Sequence, residues 1–188
     1  MEDPPEPGID ELLASLSRWA VDQRATEAAA ARARERWLRQ QAGEAATFEG
    51  LLVDLAERQA AVVVQGGDRA HVGRLRGVGR DVAVLEGVAG AVTLLAVNAI
   101  TSIQLAPPET GPPASGCRPA TTRLSLGVAL AALSAERSTV QLGLRGGQAI
   151  TGTLLAVGDD VASIRPLAGR AATLYVPIEA ITWCALPP

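Results

Sequence analysis

Hydrophobic and polar positions along the chain change period twice, and the changes divide it into parts. From Ile9 to about Ala46 there is no proline and one late glycine, Gly43, in a run dense in Ala, Glu, Arg and Gln. These are strong helix formers apart from the glycine. Leu12, Leu16 and Trp19 recur at helical spacing, as do Ala30, Ala33, Trp37 and Gln41. The spacing predicts a long amphipathic helix over residues 9–46. Its apolar stripe is thin where Glu27 to Ala31 are small or polar, so such a helix should pack on the rest of the chain or on another copy.

A second helical run, Phe48 to Arg58 with Leu51, Leu52 and Leu55 at its apolar positions, leads into a period of two. Strands are expected at Ala61–Gln65, His71–Gly77, Asp81–Glu86, Ala91–Ala96 and Ala99–Leu105, with glycines marking the turns between several of them. Residues 106–121 hold five prolines and no periodicity, which reads as a semi-stiff linker. The pattern then starts again: a helix over Leu124–Arg137, then strands at Thr139–Leu144, Ala149–Ala156, Asp160–Arg165, Ala172–Val176 and Ala180–Leu186. The expected parts are an acidic, Pro-rich, disordered tail (1–8), a helical arm (9–46), a first small barrel (47–105), the linker (106–121) and a second small barrel (122–188).

Sliding the chain on itself by 79 positions aligns Ala56-Glu57-Arg58 with Ala135-Glu136-Arg137 and Gly67 with Gly146. In the best block, Gly73, Leu75, Val78, Gly79, Asp81, Val82 and Ala83 meet identical residues at Gly152, Leu154, Val157, Gly158, Asp160, Val161 and Ala162. After a two-residue slip, Ala99-Ile100-Thr101 meets Ala180-Ile181-Thr182. Gly73 and Gly152 suit a sharp bend within a strand. Gly79 and Gly158 suit a turn with positive φ, and Asp81 and Asp160 are placed to accept backbone N–H groups of that turn.

A leading helix, the G-x-L-x-x-V-G-x-D-V pattern and a closing A-I-T segment resemble the Sm-like (LSm/Hfq-type) barrels and the Sm-like C-terminal domain of the ribosome maturation factor RimP. The resemblance covers roughly residues 47–105 and 124–186, and the order of elements over the whole chain is similar to that of certain actinobacterial proteins. It implies a mainly β fold of two tandem Sm-like/SH3-like five-stranded small barrels, each with a leading helix, behind a helical N-terminal arm. The family's RNA-reading residues are not matched. Asp81 comes two positions late, and Val84, Leu85, Ser163 and Ile164 stand where the family places an asparagine.

Composition narrows the chemistry. All 17 basic residues are arginine and the formal net charge is −3, which argues against broad coating of nucleic acid. Only five residues are aromatic, so the core must be aliphatic. Arg69, His71, Arg74, Arg76 and Arg80 gather around one predicted hairpin and form a candidate nucleic-acid patch, with Arg74 and Arg76 on one face and Val72 between core positions. The matched positions of the second half include Gln148, Thr153, Leu155 and Asp159, and Trp183 replaces Ser102. Leu155 and Trp183 are therefore candidates for an apolar surface meeting the arm, the first half or a partner chain. On the arm, Arg32, Arg36 and Arg39 with Trp37 are candidate partner-binding residues.

The lone His71 and the isolated Cys117 and Cys184 offer neither metal-ligand spacing nor a nucleophile–base pair. The reading is therefore non-enzymatic: no catalytic residue, cofactor, metal or small-molecule substrate, and a protein partner or self-association, with RNA the alternative partner. Two lone thiols, an acidic N-terminus and no apolar run of membrane-spanning length predict a cytoplasmic protein without a membrane segment.

Overall fold

The computed structural model describes residues 9–111, 114, 117–120, 122–168 and 172–186. The tail expected over 1–8 and parts of the expected linker lie outside the described residues. Helix α1 runs Ile9–Glu44 and forms a unit of its own, the chain dividing after Ala45. Its 36 residues make a rod of about 54 Å at 1.5 Å per residue. No described helix is long and apolar enough to cross a membrane.

The second unit is mainly β. Its first half holds α2 (Phe48–Glu57), β1 (Ala61–Gly66), β2 (Arg69–Val78), β3 (Val82–Glu86), β4 (Val92–Ala96) and β5 (Ile100–Leu105). Its second half holds α3 (Leu126–Ala135), β6 (Thr139–Leu144), β7 (Ala149–Val157), β8 (Val161–Pro166), β9 (Leu174–Pro177) and β10 (Ile181–Ala185). A single 3₁₀ turn precedes the last strand of each half, at Val97–Ala99 and Ile178–Ala180. All ten strands join one antiparallel sheet in the order β5-β1-β2-β3-β4-β10-β6-β7-β8-β9. Strands β5 and β9 therefore lie at its two ends.

The helices start where side-chain oxygens satisfy backbone N–H groups that the first turn leaves without partners. Thr47 accepts from Gly50 N at 3.0 Å and Ser125 from Val128 N at 3.2 Å. Beyond the ends of α2 and α3 the chain turns at a residue with left-handed φ, Gln59 (50°) and Arg137 (52°). That turn lets Ala60 N return to Leu55 O and Ser138 N to Leu133 O. The two halves are thus offset by 78 positions through their helices and first strands, where Phe48 corresponds to Leu126 and Ala61 to Thr139. The offset is 79 at β3 and β8 and 81 at β5 and β10. Aligned at 79, Arg58 falls on Arg137; in the fold Arg58 corresponds to Glu136, because the β6–β7 turn is one residue longer than the β1–β2 turn.

Glycine is required within β2 and β7 by close approach. A Cβ on Gly73 would overlap the carbonyl of Glu86, and one on Gly152 that of Arg165. The expectation of positive φ at Gly79 and Gly158 does not hold; among the described residues the glycines with positive φ are Gly67, Gly90, Gly146 and Gly147. Gly79 instead lets the chain before α3 come close, for a Cβ there would overlap Leu124 O, and Arg80 N donates to that oxygen at 2.8 Å. Asp81 likewise serves α3 rather than its own turn, with Oδ1 accepting from Leu126 N at 2.7 Å. A carboxylate at a helix N-terminus also meets the positive end of the helix dipole.

Two cores lie on either side of the central strands. One gathers Leu52, Leu55, Val62, Val64, Leu75, Ala83, Leu85, Leu95 and Trp183. The other gathers Val82, Leu94 and Ala96 with Leu126, Leu130, Val140, Leu142, Leu154, Ile164, Ile181 and Cys184. Successive residues of a strand face opposite sides of a sheet. On β4, Leu95 therefore enters the first core while Leu94 and Ala96 enter the second. On β10, Trp183 enters the first and Cys184 the second. The indole of Trp183 sits over Gly143, where any Cβ would overlap its ring.

Trp183→Ala is expected to destabilise the second unit by about 3–5 kcal/mol, the usual cost of emptying an aromatic site. Asp81→Ala is expected to cost about 1 kcal/mol through the lost helix cap. Denaturant unfolding followed by far-ultraviolet circular dichroism measures both. A Trp183→Ala loss no larger than that of Asp81→Ala would contradict the shared-core packing.

Candidate interaction surfaces

Where the halves meet, β4 and β10 pair with Leu95 opposite Trp183, Leu94 opposite Cys184 and Thr93 opposite Ala185. Leu186 N extends the ladder to Val92 O at 3.0 Å. The strand offsets carry this register onto the two outer strands. Val176, Tyr175 and Leu174 of β9 correspond to Leu95, Leu94 and Thr93. Ser102, Ile103 and Gln104 of β5 correspond to Trp183, Cys184 and Ala185. Leu94 is 6% exposed in the junction, whereas Tyr175 at the matched edge position is 69% exposed. Leu174 beside it is exposed as well.

At the opposite end of the sheet, a groove of about 410 Å³ lies between α2 (Leu51, Leu55, Arg58) and β5 (Ile103, Gln104, Leu105). Glu109 to Gly111 form part of its wall. Arg118 reaches back to pair with Glu57 at 2.7 Å, and Ala120 N donates to Glu49 at 2.7 Å, so the described linker residues are tied along α2. An exposed strand edge with neighbouring apolar side chains is a template for another strand.

The arginine-rich hairpin is split between two places. Arg74 and Arg76 share the outer face of β2 as expected. Arg74 donates to Gln59 O at 3.0 Å; Arg76 donates to Gln59 Oε1 at 2.5 Å and pairs with Glu86 at 2.9 Å. Val72 is not a core residue but 61% exposed, because the inward positions of β2 are His71, Gly73 and Leu75. Arg80 is exposed in the following turn. Arg69 and His71 lie at the other end of the strand, beside Trp183. The Arg69 guanidinium is 5.0 Å from the indole centroid, and the imidazole meets the indole edge-on at 5.4 Å.

Trp183 is thus buried (1% exposed) rather than on an outer face, and of the three contacts expected for it the fold makes the one with the first half. Leu155 is half-buried on β7. On the arm, Trp37 is exposed, Arg39 pairs with Glu35, Arg32 donates to Ala28 O at 3.1 Å, and Arg36 is exposed. Sequence reasoning did not single out Tyr175 or the β5–α2 groove. The matched pair Leu94 and Tyr175 would have been the signal, since an aromatic stands at the outer copy of a position that the inner copy buries.

A cleft of about 430 Å³ at the junction is lined by Asp81, Asn98, Asp159, Asp160 and Glu179. Its acidic lining disfavours a polyanion there. No cluster of three or more His, Cys, Asp or Glu residues able to hold a metal ion occurs among the described residues. Cys117 is exposed, and Cys184 is a buried thiol pushed up to about 12 by desolvation, which leaves it inert as a nucleophile. No protein-family model matches the chain, and no curated protein sequence matches it.

Burial, then the charge of Arg69, lowers the pKa of His71 below its ordinary 6.5, against the opposing pull of a hydrogen bond with the Gly66 backbone and the charge of Asp68. Its Nε2 is buried without a hydrogen-bond partner, as is Nε1 of Trp183. Between pH 6.5 and the lower folded value, the unfolded chain binds the proton and the folded one does not. The stability from a neutral His71 is therefore full above pH 6.5 and falls as the pH drops through that window. Thermal midpoints should decline between about pH 7 and pH 5.5 in the natural protein and decline less in His71→Phe. Equal slopes in the two proteins would contradict the assignment.

Proposed function

We propose that this chain is a non-enzymatic interaction module: two Sm-like barrels, each with a leading helix, that assemble through strand edges and the N-terminal helix. One observation carries the reading. The join between the halves is itself an edge-to-edge strand addition, and the outer edges present the matching register with its residues uncovered. Main-chain pairing at such an edge supplies affinity, and the side chains beside it supply selectivity. Tyr175 and Leu174 are the selective side chains at β9, and the groove between α2 and β5 takes the incoming side chains at the other end. The partner is a protein strand, from another molecule of this chain or from a second protein.

RNA binding through Arg74 and Arg76 has less support. Both arginines hydrogen-bond to Gln59, Arg76 also pairs with Glu86, and the cleft lined by Asp81, Asp159, Asp160 and Glu179 between the halves is acidic.

Hydrogen exchange tests the edge reading directly. Outward-facing amides of β5 and β9 should gain protection as the concentration of the full chain rises, or when a copurified partner is added. Leu174→Asp with Tyr175→Asp should abolish the gain at β9 while the inner strands stay protected. Exchange at both edges that is indifferent to concentration and partner would refute the reading.

A further inference from the structure

The arm presents an ordered stripe that nothing in its own helix covers. Ile9, Leu16, Gln23, Ala30 and Trp37 recur every seven residues, and Trp19, Thr26, Ala33 and Gln40 form a second series three residues behind Leu16, Gln23, Ala30 and Trp37. Alternating steps of three and four along one helix are the seam of a coiled coil. Leu16, Trp19 and Trp37 are 59%, 65% and 55% exposed on α1. We propose that the arm pairs with the arm of a second copy of this chain, as an antiparallel two-helix coiled coil. The proposal rests on the reading of the chain as an interaction module and names the partner of its helical part.

The order of large and small residues selects the antiparallel arrangement. In a layered antiparallel seam the two series face each other, and one register sets Leu16 against Ala33 and Trp19 against Ala30. Leu16 and Trp19 each then meet a small side chain, as interdigitated packing requires. In that register Gln23 faces Thr26 at the centre, where two polar side chains can hydrogen-bond across the seam and fix the alignment. A parallel, in-register pair would stack Trp19 on Trp19 and leave Ala30 facing Ala30 and Ala33 facing Ala33 across gaps.

Charge points the same way. Residues 9–22 carry Asp10, Glu11 and Asp22 against Arg18, a net of −2. Residues 24–39 carry Arg24, Arg32, Arg34, Arg36 and Arg39 against Glu27 and Glu35, a net of +3. Antiparallel pairing lays the acidic half of one arm along the basic half of the other. At the seam's flanks it sets Asp22 beside Ala29 and Glu27 beside Ala20. Parallel pairing would set Asp22 beside Glu27, a like-charge contact.

Cysteine cross-linking in the full chain reads both partner and direction. In a Cys117→Ser background, Leu16→Cys and Ala33→Cys proteins are oxidised separately and as a mixture, then run on a non-reducing gel. The expected result is a covalent dimer in the mixture and almost none in either protein alone. Cross-linking of Leu16→Cys with itself would mean a parallel pair and would overturn the proposal. Absence of any dimer, with a monomeric mass in solution, would overturn it too. Repeating the mixture with Leu174→Asp and Tyr175→Asp separates the two readings: dimer retained there places the contact in the arm, and dimer lost there places it at the sheet edge.

Discussion

Strand alternation allows β3, β4 and β10 to serve two cores at once, and the second unit depends on it. A strand with one face in water supplies a single core. Here Leu95 and Trp183 face the first core, while Leu94 and Cys184, their neighbours in sequence, face the second. Neither core is closed by its own half. The first lacks its largest side chain without β10, and the second lacks Val82, Leu94 and Ala96 without β3 and β4. The helix cap supplied by Asp81 and the Arg80–Leu124 hydrogen bond reinforce this exchange at one end. Small aliphatic-rich halves of this size bury little surface alone. Sharing strands makes one larger buried volume from two.

Much of this was legible in the chain. Period-two alternation and glycine-marked turns placed all ten strands within a few residues of where they run, since a half-buried strand writes its geometry directly into its sequence. Gly73 and Gly152 were rightly assigned to the strand interior because only close backbone contact calls for glycine there. The roles of Gly79 and Asp81 were not legible. Both act on α3, more than 40 residues away, and no local pattern encodes a helix arriving from the second half. Val72 shares the outward face of Arg74 and Arg76, as the same alternation requires, and lies between the inward positions His71 and Gly73. The inward set of β2 was fixed by His71 and Leu75 meeting partners distant in sequence.

The same limit governs the candidate surfaces. Arg69, His71, Arg74 and Arg76 are close along the chain, yet the length of β2 separates the first two from the last two. His71 in particular left the surface set, since the space beside it is occupied by Trp183 from more than 100 residues later. Tyr175 carries no local signal either, and its meaning comes only from comparison with its buried counterpart Leu94. Surfaces made by topology become readable once the strand order is known. That order turns on one pairing between the halves, β4 with β10.

Trp183 comes long after the first half in sequence, and that separation has a consequence for synthesis. A ribosome releases α2 and β1 to β5 long before β10, so the first half emerges with its core missing an indole and its β4 edge uncapped. Contacts between residues so far apart in sequence close slowly and late. During that interval the nascent first half exposes a hydrophobic notch and a bare strand, the features that make partly folded chains prone to association. The emergence of β10 closes the first half and seals the edge in one event, which couples the maturation of the two halves in time.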